Sequence, residues 1–255
     1  MEIPVNPFKH AIAKGERQIG LWRHLTGNIT TEVISQSGFD WIVLDMEHGP
    51  NEIPTIISQL QAMKGGTASP VARPPWNDSV IIKRLLDTGC QTLLIPYVQT
   101  REEAEAAVAA TRYPTAGIRG VAGGTRASAY GRRKEYLTRA SEEICLLVQV
   151  ETAEALERIE DIASVDGVDG VFIGPSDLSA SMGFIGKRDA DEVHEAISGA
   201  AKRLAAVGKA SGILGTSLPE ADRFIEYGYV FVAVGSDTGV LARGADELAA
   251  RFKGK

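Results

Sequence analysis

Residues Cys145–Asp177, CLLVQVETAEALERIEDIASVDGVDGVFIGPSD, carry the pattern that decides the fold. The stretch opens on an apolar run, Cys145–Thr152, which reads as a strand buried on both faces. A helical segment follows over Glu154–Ala163. Its apolar residues Ala155, Leu156, Ile159, Ile162 and Ala163 recur at three- and four-residue spacing. A second apolar run, Gly170–Asp177, completes a strand–helix–strand unit. Units of this kind build parallel sheets with helices packed over them.

The alternation extends in both directions. Upstream, Gln18–Leu25, Trp41–Glu47, Ser69–Pro74 and Thr92–Val98 read as strands, and downstream Ser211–Gly215 and Tyr229–Asp237 do. Helical patterns cover Ile53–Lys64, Val80–Thr88, Arg101–Arg112, Val193–Val207 and Glu220–Tyr227, several of them bounded by Asn51, Asp78, Gly65, Gly89 or Gly228. Eight units in 255 residues predict an α/β fold, a single (β/α)8 TIM barrel spanning the chain. An open doubly wound sheet is the rival, weakened by the lack of a G-x-G-x-x-G turn after the first strand. Thr238–Lys255 reads as a terminal helix that packs on the barrel or reaches a neighbouring subunit. Pro114–Glu143, which holds IRGVAGGTRASAYGRR, is too long for a plain loop and is expected to be functional.

A net charge of -6 argues against nucleic acid as a partner, because phosphate binding needs a basic surface. It leaves anionic small molecules open, since a few arginines in a cleft outweigh a mildly acidic exterior. No apolar stretch approaches the roughly 20 residues that span a bilayer, and the N-terminus has no apolar leader. Cys90 and Cys145 sit in or beside apolar runs without metal-type spacing and read as buried small hydrophobes. The expectation is a cytoplasmic, membrane-free protein.

In a parallel barrel the chemistry sits at the C-terminal ends of the strands. Polar residues interrupt the apolar runs there: Asp45, Glu47 and His48; Arg73; Gln149 and Glu151; Gly174, Pro175, Ser176 and Asp177; Ser236 and Asp237. Glu151 and Asp177, from adjacent strands and without His or Cys neighbours, suit a hard divalent cation. Both could instead cap the helices that follow. His48 is the candidate base, oriented by Asp45 or Glu47. His24, beside Trp22 near the end of strand one, could line the pocket. Arg73 needs an anionic partner, either a substrate oxygen or a structural carboxylate. No lysine lies at a C-terminal strand end, which favours a metal over an imine for stabilising an enolate.

Five ordered motifs then carry a resemblance: LDMEHGPN at Leu44–Asn51, VARPPWND at Val71–Asp78, IIKRLLDTG at Ile81–Gly89, LLVQVET at Leu146–Thr152 and VFIGPSDLSASMG at Val171–Gly183. Together they resemble the HpcH/HpaI aldolase family, class II pyruvate aldolases, over about Phe8 to Phe252. The resemblance implies reversible cleavage of a 4-hydroxy-2-oxo acid to pyruvate and an aldehyde. The acid would be of the 2-dehydro-3-deoxyglucarate or the 4-hydroxy-2-oxoheptanedioate type, with IIKRLLDTG and SGILG leaning to the former. It implies His48 as base and Arg73 as the pyruvate-binding arginine. Asp87 would raise the basicity of the histidine across a subunit boundary. Gln149 and Ser176 would be substrate contacts, joined at the mouth by Gly174, Pro175 and Trp22, and Glu151 and Asp177 would be ligands to Mg²⁺ or Mn²⁺, with Co²⁺ also admitted. It further implies a homo-hexamer of two trimers with exchanged C-terminal helices. Met46 stands where a small residue is expected and could crowd the pocket. Gly123–Gly131 and Gly212–Glu220 are expected at the aldehyde half. The alternatives are a related carbon–carbon lyase or an oxaloacetate-type decarboxylase, and a non-catalytic small-molecule binding protein on the same scaffold.

Overall fold

The computed structural model describes residues 1–254. Eight parallel strands pair in chain order and close on themselves: β1 (Gln18–Arg23), β2 (Trp41–Asp45), β3 (Ser69–Arg73), β4 (Thr92–Ile95), β5 (Cys145–Val150), β6 (Gly170–Ile173), β7 (Ala210–Leu214) and β8 (Phe231–Ser236). The (β/α)8 expectation holds, and the open sheet is excluded by the β8–β1 pairing.

Strand periodicity divides each run between two environments. On β2, Ile42 and Leu44 face the helices, while Trp41 and Val43 fill the barrel interior. On β5, Leu146, Val148 and Val150 face outward, and Cys145 and Leu147 inward. The lower interior is aromatic: Phe8, Trp41 and Phe231 meet with ring centroids 5.7–5.9 Å apart. Gly212 makes this possible, since a Cβ there would lie 2.0 Å from the Phe231 ring. Phe8 and Ile12 come from a helix, Pro7–Ala13, that plugs the N-terminal rim. Its two buried apolar residues, one turn apart, are too few to register as an amphipathic pattern.

The expected strands overrun at their C-terminal ends. The β6 run stops at Ile173, and Pro175, which has no N–H to give a ladder, starts the helix Pro175–Ser181 instead. The expected helix Glu154–Ala163 is two short helices, Ala153–Glu157 and Ile159–Ala163, broken at Arg158. Ala155, Ile159, Ile162 and Ala163 are nonetheless all buried, so the apolar spacing was meaningful. The terminal helix, Asp237–Lys253, buries only Asp237 and leaves Val240, Leu241, Leu248 and Phe252 more than half exposed. It therefore does not cover its apolar side chains on its own barrel. No described helix is long and apolar enough to cross a membrane.

Candidate active site

The inward register of the strands continues upward from the apolar core into the polar mouth. The position after Trp41 and Val43 is Asp45; after Val71 it is Arg73; after Cys145 and Leu147 it is Gln149 and then Glu151. Phe172 is followed by Gly174. The register pairs Asp45 with Arg73 directly. A cavity of about 280 Å³ opens there, lined by Trp22, His24, His48, Arg73, Gln149, Phe172, Gly174, Pro175, Ser176, Asp177, Arg188 and Leu214. Of the residues picked from the strand ends, His48, Arg73, Gln149, Gly174, Pro175, Ser176 and Asp177 line one mouth, whereas Asp45, Glu47, Glu151, Ser236 and Asp237 do not line it. A larger cavity of about 640 Å³ lies against Ala68, Pro70 and Gln91 at the opposite rim. It is lined by Lys64, Arg126, Arg132 and Arg133 and by none of the strand-end carboxylates.

Arg73 is the organising cation. Its Nε donates to Asp45 Oδ1 at 2.8 Å and its Nη2 to Asp45 Oδ2 at 2.7 Å. Its guanidinium lies 4.7 Å from the Trp22 ring centre. Trp22 Nε1 donates to the same Asp45 Oδ2 at 3.1 Å. Burial alone would raise the Asp45 carboxyl, but the bonds and charge of Arg73, with those from Trp22 and the Glu47 amide, outweigh it and hold the group below the usual range. Arg73 Nη1 faces Glu47 Oε2 at 2.7 Å, off the N–H direction, which makes an ion pair rather than a hydrogen bond.

Glu151 is 3% exposed and packs against Gln149 and Gly174 of the cavity lining. Its Oε1 accepts from the Tyr97 amide at 2.8 Å and its Oε2 from Gln149 Nε2 at 2.5 Å. Tyr97 has φ of 54°, a conformation costly for a residue with a side chain, and stacks on Trp76 with ring centroids 5.6 Å apart. This strained turn after β4 aims an amide at Glu151. Gly174 also serves it: a Cβ there would lie 2.4 Å from Glu151 Oε2.

Burial, with the charges of Glu47 and Asp177, pushes the Glu151 carboxyl up to about 7. Burial raises Glu47 as well. Neither metal candidate makes a side-chain cap bond, although Asp177 stands in the first turn of Pro175–Ser181, where the helix dipole favours an acid. Thr152, not Glu151, caps the following helix through its hydroxyl, and Asp177 makes no hydrogen bond among the described residues. No three His, Cys, Asp or Glu side chains form a metal-type cluster among the described residues. The mouth thus offers two hard carboxylates in a region of unbalanced negative charge. That fits a divalent cation that completes its shell with water and substrate oxygens.

The raised Glu151 carboxyl has a measurable consequence. A carboxyl raised from 4.5 to about 7 costs the metal-free fold nothing below pH 4.5, and its cost grows until the pH exceeds 7. Over that window the metal-free protein is expected to lose roughly 3 kcal/mol, since each tenfold change in proton affinity is worth about 1.4 kcal/mol. Thermal melts of EDTA-treated protein from pH 5 to 8 should fall by several degrees, and Glu151→Gln should remove this component. Equal slopes in the two proteins would refute it.

His48 lines the cavity with its side chain 65% exposed, and its ring Nε2 is 4.0 Å from Glu47 Oε1. Asp45 touches His48 only through the backbone amide, at 3.4 Å. The expectation that Asp45 orients the imidazole is corrected, because its carboxylate is occupied by Arg73 and Trp22. The ring near Asp45 is that of His24, at 3.4 Å. Met46 is buried among the outward-facing residues and does not crowd the pocket. Asp237 accepts the His24 and Leu25 amides and ties loops together outside the cavity. Asp87 ends the helix Ser79–Asp87, which returns from the mouth to the N-terminal rim, and accepts from Arg119 Nη2 at 2.8 Å. Within one chain it does not contact His48. The segment Gly123–Gly131 packs on the same rim, where Ala127 N–H meets Asp87 O and Arg126 reaches Thr88 O. It does not line its own chain's mouth, because a connection from helix back to strand lies at that rim by geometry. Strand-seven's end does line it, through Leu214. Sequence reasoning missed Tyr97 and Arg188.

Known proteins match the chain over nearly its whole length. The family model described as HpcH/HpaI aldolase/citrate lyase matches residues 18–244. A 4-hydroxy-2-oxo-heptane-1,7-dioate aldolase of Salmonella paratyphi C is 53% identical over 248 residues, 97% of this chain and 94% of the relative. An HpcH/HpaI aldolase/citrate lyase family protein from Burkholderia cenocepacia superposes with a TM-score of 0.95 at 34% identity, covering 98% of this chain and 100% of the other. An HpcH/HpaI aldolase from Desulfitobacterium hafniense gives 0.87 at 26% identity, covering 96% of each chain.

Proposed function

The chain belongs to the HpcH/HpaI aldolase/citrate lyase family and is a carbon–carbon lyase; from that premise we propose that it cleaves 4-hydroxy-2-oxo-heptane-1,7-dioate reversibly between C3 and C4, giving pyruvate and succinic semialdehyde. The sugar-acid type leads in the sequence motifs. The 53% identical relative named for the heptanedioate reverses that order, and so does the apolar Leu214 wall, which suits methylenes better than hydroxyls. The observation that carries the reading is the convergence of Arg73, Asp177 and His48 on one mouth, with Glu151, its carboxyl raised to about 7, buried against Gln149 and Gly174 of the lining.

In this reading Glu151 and Asp177 hold Mg²⁺ or Mn²⁺, which when bound polarises the keto group of the 2-oxo acid. Arg73 is immobilised on Asp45, and its Nη1, between Glu47 and Gln149 Oε1, is the nitrogen that turns to negative charge developing on the enolate oxygen. His48, half in solvent at the cavity wall, removes the C4 hydroxyl proton and returns it in the reverse direction. Gln149 fixes Glu151, and the Trp22 face holds the guanidinium plane. Asp87 would act on the histidine of a neighbouring subunit, and the exposed apolar face of Asp237–Lys253 supports an assembly with exchanged helices.

The test is solvent deuterium exchange into the methyl group of pyruvate, followed by proton NMR on EDTA-treated protein before and after adding Mg²⁺ or Mn²⁺. Exchange only with metal, and pyruvate release from the heptanedioate, are expected. No exchange with any divalent ion overturns the proposal.

A further inference from the structure

We propose that Arg188 selects aldehydes that carry a carboxylate, by binding the end of the substrate remote from pyruvate; this rests on the lyase reading above. Arg188 lies in the turn between the helices Pro175–Ser181 and Asp191–Ala206 and lines the mouth beside Ser176 and Leu214. Ser176 stands in the helix that follows β6, and Leu214 ends β7. Arg73 stands on β3, on the other side of the eight-stranded ring. The two arginines therefore bracket the cavity, which suits a substrate with a carboxylate at each end.

Their bonding differs. Arg73 gives two nitrogens to Asp45, and its third faces Glu47 and donates a long bond of 3.5 Å to Gln149 Oε1. The Arg188 fork is less committed. Nη2 donates to Glu220 Oε1 at 2.7 Å and to Leu214 O at 3.3 Å, whereas Nη1 has only Ser176 Oγ, at 3.3 Å. Its Nε is buried without a partner. Glu220 is itself fixed, its Oε2 accepting from the amide and hydroxyl of Thr216 at 2.7 and 2.9 Å. Glu220 thus positions the guanidinium and leaves Nη1 available on the Ser176 side. A carboxylate arriving there gains a charge-assisted bond in a half-buried setting. A neutral aldehyde of the same length leaves that donor unmet. A mere tie between the β6 and β7 loops would need neither the cavity position nor the spare nitrogens.

The experiment compares condensation of pyruvate with succinic semialdehyde and with butanal, equal in carbon number, using Mg²⁺-loaded wild type, Arg188→Gln and Arg188→Lys. The ratio of kcat/KM for the two aldehydes is expected to fall roughly a hundredfold in Arg188→Gln, the worth of a lost charge-assisted pair. Arg188→Lys should give an intermediate ratio, since it keeps the charge and loses the fork. Pyruvate methyl exchange, measured alongside, reports the enolate half. A ratio changed less than threefold in either variant overturns the proposal, and so does loss of exchange together with condensation. If Arg188→Gln does not fold, Arg188→Lys alone decides. Failure of wild type to exchange pyruvate counts against the lyase reading instead.

Discussion

Asp177→Asn yields a folded protein that no longer exchanges the methyl protons of pyruvate at any divalent metal concentration, a loss of at least about a thousandfold. The size follows from what Asp177 is and is not. It makes no hydrogen bond among the described residues and caps no helix through its side chain. Its place in the first turn of Pro175–Ser181 contributes only a few tenths of a kcal/mol to about 1 kcal/mol through the helix dipole. The substitution keeps shape and removes charge, so the fold stays and one of the two proposed metal ligands goes. Glu151→Gln has the same effect on exchange by the same argument. It differs in the free protein, where removing a buried carboxyl stabilises above neutral pH. Opposite signs on stability and catalysis in one variant are expected of a functional group held against its own solvation. Calorimetric titration with Mg²⁺ or Mn²⁺ should show the loss of binding directly. Exchange within tenfold of wild type in Asp177→Asn would remove Asp177 from the site.

The sequence made the mouth legible because a strand has period two. Asp45, Arg73, Gln149 and Glu151 are each the next inward position above apolar residues that fill the barrel. What it hid depends on contacts between distant segments. Asp45 looked like a partner for His48, three residues on, but its oxygens belong to Arg73 on the next strand and Trp22 on the previous one. Tyr97 reads as part of an apolar strand; only its turned backbone reveals the amide aimed at Glu151. Arg188 sits in GFIGKRD, where nothing periodic marks it. Its one signal was its place between two helices on the mouth side, where loops carry function. The family resemblance, not any pattern in the residues, puts Gly123–Gly131 at the aldehyde half. Its position after a returning helix already placed it at the opposite rim.

Arg73→Lys is the stricter test of the catalytic arrangement, because it keeps the charge. A guanidinium can spend Nε and Nη2 on Asp45 and still keep Nη1, which faces Glu47 and Gln149, beside the cavity. An ammonium is a single point, and the buried Asp45 carboxylate, fully enclosed, claims it first. The charge then sits on Asp45, and the enolate oxygen loses its donor. The expected fall in kcat is between a hundred- and a thousandfold, about 3–4 kcal/mol, the range for removing one preorganised donor to a developing oxyanion. KM for the heptanedioate should change much less, since the interaction belongs to the transition state. The fold should survive with a lower Tm, because Asp45 keeps a cation. Arg73→Met, which leaves that carboxylate buried and unpaired, should cost about 3–5 kcal/mol of stability. It should also remove the main force holding the Asp45 carboxyl down, so that acid sensitivity is reduced: a depressed carboxyl contributes stability above its unfolded value and loses it as pH falls. Steady-state kinetics of the two variants, with melts at pH 4 and 7, separate these effects. More than a tenth of wild-type kcat in Arg73→Lys would mean that charge alone suffices and that the bidentate hold on Asp45 serves the fold rather than the reaction.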